Sequence, residues 1–231
     1  MRTILNFLIS NLKGQKYQLD VNLPLMYLFR LIFCRIFMAI YGICLPLHKK
    51  GIFFVSITSK IKCLSKIIVG KGCTIDRGCY IDALSIDGIV LGDNVSIGKN
   101  TVIECTGSLF SIGKGLKVGN NVGMGTHGFW GCAGGIEIGN DTIVGNYVSV
   151  HSENHIMNDI DIPIRLQGVK REGIVIGQNC WIGAKVTILD GAIIEDGCVF
   201  AAGSVVIAGR YSKNGIYGGV PAKLLKYRGN K

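Results

Sequence analysis

The chain has 231 residues, of which 48% are hydrophobic and 17% charged, with 33 glycines and 4 prolines. That apolar content suffices for a full core and excludes a disordered tail, while many glycines with few prolines and no Gly-x-y register exclude collagen and call for a fold of many tight corners. The net charge of +10 is uneven, because residues 1–60 carry eight Lys/Arg against Asp20 alone, net +7, and residues 61–231 carry seventeen against fourteen, net +3; a basic segment rich in Leu, Ile and Phe suits an anionic membrane surface and not nucleic acid.

From the N-terminus, the apolar stretch Ile4 to Leu12 is broken by Asn6, Ser10 and Asn11 and has no small-residue cleavage site, so no secretory signal is expected. The longer stretch Leu23 to Leu47 contains Arg30 and Arg35. These leave about a dozen uninterrupted apolar residues from Ile36, short of the roughly 20 that span a bilayer, which predicts a helix at a membrane surface or facing a partner. The nine cysteines contain no CxxC pair and form no even framework, which points to a reducing cytoplasm, at the inner face of its membrane if residues 1–60 make that contact.

Beyond residue 60 aliphatic residues recur every six positions: Val69, Ile75, Ile81; Leu91, Ile97, Ile103; Ile112, Val118, Met124; Ile138, Val144, Val150; and Ile176, Ile182, Ile188, Ile194, Phe200, Val206. Glycine often follows, as at Gly70, Gly92, Gly98, Gly113 and Gly119. A period of six fits neither a helix nor a free alternating strand, but it does fit a short strand plus a corner repeated three times per coil. The predicted fold class is therefore all-β: a parallel β-helix over residues 61–231, each aliphatic side chain pointing into a triangular prism and stacking about 4.8 Å from the next. Cys73, Cys79, Cys180 and Cys198 fall where small core residues fit. A helical apolar segment over residues 1–60 and a short C-terminal helix or tail complete the expected architecture.

The repeat is interrupted at Thr126–Gly135 and at His151–Gly173, and both breaks contain histidine. Breaks in a solenoid are expected to project as loops from one face. The second is followed by IVIGQNCWIGAKVTILDGAIIEDGCVFAAGSVV and then GGVPAKLLKYR. Over residues 69–228 this stretch, with its Trp-Ile-Gly-Ala and Gly-x-Pro-Ala-Lys elements, resembles the galactoside and maltose O-acetyltransferase branch of the hexapeptide-repeat acyltransferases. Bacterial enzymes that acetylate capsule, exopolysaccharide or lipopolysaccharide sugars share this loop style.

The resemblance implies a left-handed coil, acetyl-CoA as donor, a sugar or lipid-linked saccharide as acceptor, no metal, and a homotrimer with sites between subunits. The fifth residue after Val150 is His155, where the family places its catalytic histidine; neutral imidazole can take a hydroxyl proton near pH 7 as attack on a thioester begins. On the donor side the resemblance puts an oxyanion-stabilising N–H near Trp181–Ala184, Ala184 and Ala202 beside the pantetheine arm, Ile207 and Ala208 further along, and Lys223 and Lys226 near the phosphates. On the acceptor side Gly125 and His127 stand where polar residues are common. His151 either lines the pocket or occupies a surface corner; Asp159, Asp161 and Arg165 bond sugar hydroxyls or are solvated; Phe129 and Trp130 stack on a sugar ring or are buried against a neighbouring subunit. Two other classes stay open: a zinc hydratase resembling gamma-type carbonic anhydrases, holding metal with His127, His151 and His155, and a noncatalytic scaffold.

Overall fold

The structure, a computed structural model, describes residues 2–229 apart from 14, 15 and 17. Three sheets of short strands build a prism, the chain passing from wall A to wall B to wall C and back to A on the next coil. Wall A has eight strands, from His48–Lys49 to Gly209–Tyr211; wall B nine, from Phe54–Val55 to Lys223–Tyr227; wall C seven, from Lys60–Lys62 to Val205–Val206. Neighbouring coils pair in parallel and in strict register, as in Thr74 with Ser96 and Ile75 with Ile97.

Register follows from the interior ladder. Val69, Leu91, Val118, Ile138, Ile176 and Ile194 on wall A are all buried, as are their counterparts on the other walls. A one-residue slip would turn each of them outward, and burial of each contributes about 1.5–3 kcal/mol relative to exposure. Cys73, Cys79, Cys180 and Cys198 are buried thiols beside this ladder, and burial pushes Cys73 and Cys198 up to about 11.

From the second coil onward the A–B and B–C corners turn on left-handed residues. Between walls B and C that residue is Gly78, Asn100, His127, Tyr147, Lys185 and Gly203 on successive coils, all at positive φ. Asparagine tolerates this region, which is why it recurs at the A–B corners as Asn94, Asn121, Asn179 and Asn214. The larger excursions leave from the third corner, between walls C and A.

Four expectations need correction. The coil begins at His48, inside the segment assigned to the N-terminus: Lys49, Val55 and Ile61 continue the six-residue spacing, but the first rung is a lysine and no glycine follows the others. Lys49 is spared the core because its ammonium donates to the Gly42, Ile43 and Leu45 carbonyls that end the preceding helix. Ile112 is not a rung; it is 41% exposed in an excursion between Cys105 and Gly115, and its spacing from Val118 is fortuitous. Residues 126–135 do not project, since Phe129–Gly131 is a wall C strand in which Trp130 fills a rung, six residues after Met124 and 1% exposed. Room for the indole comes from Gly128, where a Cβ would lie 2.9 Å from Trp130 Nε1. The C-terminal tail is a strand, Lys223–Tyr227, pairing antiparallel with Gly215–Gly218, and not a helix.

Helix α1 spans Arg2–Lys13 and helix α2 spans Leu25–Cys44. Helix α2 packs on the start of wall B: Arg35 donates to Thr74 Oγ1 at 2.7 Å and lies 5.1 Å from the centre of the Phe54 ring. Burial lowers the Arg35 pKa, opposed by Asp76.

Candidate active site

The excursion of residues 152–173 is an arm with built roots. Leaving wall C, Ser152 is fully buried; its hydroxyl donates to the Gly131 carbonyl at 2.8 Å and accepts the Gly134 N–H at 2.9 Å. On the way back, the buried Asp190 carboxylate accepts the N–H of Glu172 at 2.9 Å and of Gly173 at 2.7 Å. Between these roots Arg171 pairs with Glu153 at 2.6 Å and reaches the Ser111 hydroxyl and carbonyl, both at 3.0 Å, fastening the arm to the excursion below it. A short antiparallel ladder follows, Asn154 opposite Lys170 and His155 opposite Val169.

The tip is organised by Gln167 at the end of helix α3, Ile164–Gln167. Its amide donates to the Asp159 and Ile162 carbonyls, both at 2.7 Å, and its carbonyl accepts the Asp159 N–H at 3.1 Å. The Asp159 carboxylate accepts the Asp161 N–H at 2.9 Å, the local bond by which aspartate closes its own turn. Asp161 and Arg165 are exposed at this tip.

His155 is exposed on the arm, and among the described residues none hydrogen-bonds its imidazole. An arm with fixed roots thus presents an unpaired imidazole to whatever binds there. His151 sits on the outer face of wall C, its Nε2 2.7 Å from Ser149 Oγ and its ring 5.3 Å from that of Phe129, and burial lowers its pKa. That contact makes Phe129 a wall for His151, whereas Trp130, inside the prism, is unable to stack on a ligand. His127 is a corner residue: φ is 58°, its ring stacks on Tyr147 at 4.8 Å, and its nitrogens bond Asn100 and Thr126 at 3.0 Å. Gly125 lies under the next coil, where a Cβ would come within 2.4 Å of the Gly145 carbonyl oxygen, so its backbone serves coil stacking. Among the described residues no group of three His, Cys, Asp or Glu side chains converges as a metal site.

The donor-side residues spread over three places. Trp181, 57% exposed, is on the outer face of wall B, and Lys223 and Lys226 are on its last strand. Ala184 and Ala202 occupy the B–C edge, each just before a left-handed corner, Lys185 and Gly203. A Cβ on Gly203 would meet nothing within 4 Å, so that edge is open alongside. Ile207 and Ala208 turn the C–A edge, the edge from which the His155 arm departs two coils earlier. Sequence reasoning missed Ser152, Glu153, Arg171 and Asp190. The available signal was charge at the two ends of the break and an aspartate ending the aliphatic run at Leu189.

Six-residue rungs, three parallel walls and an arm at one edge define a hexapeptide-repeat protein. The family signature described as bacterial transferase hexapeptide (six repeats) matches residues 173–208. It is 33% identical over 163 residues, 70% of this chain and 50% of the relative, to a Mycobacterium tuberculosis protein named as a probable acetyltransferase. It is 37% identical over 98 residues, 39% of this chain and 50% of the relative, to an Escherichia coli protein named as a lipopolysaccharide biosynthesis O-acetyl transferase. The chain thus spans about half the length of these curated relatives. The fold is shared with AntD, an N-acyltransferase from Bacillus cereus solved with dTDP-4-amino-4,6-dideoxyglucose and coenzyme A, with a TM-score of 0.53 at 20% identity over 83% of this chain and 88% of that one.

Proposed function

We propose that this protein transfers an acetyl group from acetyl-CoA to a hydroxyl of a sugar in a bacterial surface polysaccharide or its precursor, with His155 as general base. The observation that carries the reading is the arm: Ser152, Asp190 and the Glu153–Arg171 pair fix both roots of an excursion that leaves the His155 imidazole without a hydrogen-bond partner among the described residues. The names of the relatives supply the reaction class. In the proposed step His155 takes the acceptor proton as the oxygen attacks the thioester carbonyl; the C–O bond forms, the C–S bond breaks, and the proton passes on to the departing thiolate. Positioned proton transfer of this kind is worth roughly 10²–10⁴ in rate.

Assembly belongs to the proposal. Ala184 and Ala202 mark one edge of wall C and the His155 arm leaves the other, so a donor running along the first edge is completed by an arm from a neighbouring chain in a threefold assembly. The test is calorimetric titration with acetyl-CoA, then thioester absorbance with a panel of sugars for wild type and His155→Ala. Saturable donor binding by both proteins, with turnover lowered at least about 100-fold in the variant, is the expected result. Full turnover by His155→Ala removes the assigned base, and absence of donor binding removes the reaction.

A further inference from the structure

Helix α2 is long and apolar enough to cross a bilayer, with a mean hydropathy of 1.7 over its best window, yet only Leu28 and Gly42 on it are buried. Twenty residues make a rod of about 30 Å. Around most of its circumference it exposes large apolar side chains, among them Met26, Phe29, Phe33, Phe37 and Ile40. Helix α1 adds exposed Ile4 and Phe7. The opposite strip, Leu28, Arg35 and Gly42 at intervals of seven, is the side turned inward.

Two contacts fix how this rod lies. In mid-helix, Arg35 bonds Thr74 and covers the Phe54 ring; near the end, Gly42 approaches so closely that a Cβ would sit 2.7 Å from the Phe53 carbonyl oxygen. A helix held against the coil from its middle to its end cannot cross hydrocarbon without taking polar corners and charged walls with it. Of the two arginines that interrupt the apolar run, Arg35 is turned toward the protein, and Arg30 is the exposed cation among the outer apolar side chains.

We propose that the outer face of α2 docks in the plane of an anionic lipid surface, α2 lying in the interface and not crossing it. Charge selects this occupant over a second copy of the chain. Residues 1–60 carry a net +7, which attracts an anionic leaflet and opposes pairing of two such segments. The inference is independent of the proposed reaction. A protein so held would meet acceptors carried on lipid.

The chain contains its own reporters, since Cys34 and Cys44 are exposed on α2 and Cys63 is exposed away from it. Full-length protein would be incubated with vesicles of phosphatidylcholine alone or mixed with phosphatidylglycerol, treated with a maleimide, and each cysteine followed by mass spectrometry. Expected are co-sedimentation with the anionic vesicles that weakens with salt, alkylation slowed about tenfold at Cys34 and Cys44, and no change at Cys63. Phe33→Ser with Phe37→Ser is expected to weaken co-sedimentation about tenfold without altering sedimentation velocity in the absence of lipid. Failure to bind anionic vesicles overturns the proposal. Protection that needs protein concentration and not lipid transfers the face to a second copy, and retention in membranes through salt and alkaline carbonate makes α2 a spanning helix.

Discussion

His151 and His155 stand four residues apart, and their surroundings divide the work between them. His155 is exposed and has no hydrogen-bond partner among the described residues; His151 is packed between Ser149 and Phe129, and burial holds its pKa below the ordinary histidine value. A base must be reachable by the proton it removes, which favours His155, while His151 supports wall C in its neutral form. The shift has a signed consequence. Between the lowered value and the ordinary one the unfolded chain binds a proton that the folded chain does not, so stability rises with pH through this window and falls as pH drops through it. Thermal unfolding from pH 7.5 to pH 5 is therefore expected to show a smaller loss of Tm in His151→Gln than in wild type. An unchanged pH slope would remove His151 as the group responsible.

At the scale of elements, the arm is held by bonds whose partners are distant in sequence, and this limits what sequence reading recovers. Asp190 serves Glu172 and Gly173 from the next coil, and Arg171 reaches Ser111 across 60 positions. Replacing Asp190 with Asn leaves one accepting oxygen where two act now, and turns an NH₂ group toward an N–H. The expected cost is about 1.5–3 kcal/mol in chemical denaturation, the range for hydrogen bonds to a charged group. As a positioning residue it is also expected to lower kcat with the KM for acetyl-CoA unchanged, and to open residues 156–167 to limited proteolysis. A loss of stability with kcat intact would confine Asp190 to structure. The coil itself was legible because every rung must be apolar and every corner small or left-handed, so the period of six is written into the chain. Legibility failed where a rung changes chemistry for a local reason, as at Lys49, which caps α2, and Trp130, which borrows space from Gly128. It failed also at Ile112, where an excursion preserved the spacing by chance. His155 was assigned through the family resemblance and its count from Val150, whereas the roots of its arm are tertiary and leave little local trace.

On the scale of the whole molecule, a prism buries its interior completely within one chain yet leaves three walls whose outer faces keep apolar residues. Ile68, Val175 and Ile193 on wall A, and Ile143 and Trp181 on wall B, are each more than a third exposed. Flat walls of this kind suit closed cyclic assembly, in which one surface meets a different surface of the next copy. The proposed reaction asks for the same arrangement, because the Ala184–Ala202 edge and the His155 arm leave wall C on opposite sides. That geometry can be tested by complementation. His155→Ala removes the proposed base and leaves the proposed donor edge intact; Ala184→Trp with Ala202→Trp blocks that edge and leaves His155. Each variant alone is expected to be nearly inactive. When the two are co-expressed at equal levels and assemble at random, about a quarter of shared sites combine an intact arm from one chain with an intact edge from its neighbour, and activity is expected to recover to that fraction. If each site were built within a single chain, no mixture would contain an intact one, and the co-expressed sample would be as inactive as its parents. Sedimentation velocity on the same sample shows whether the recovered activity travels with a trimer.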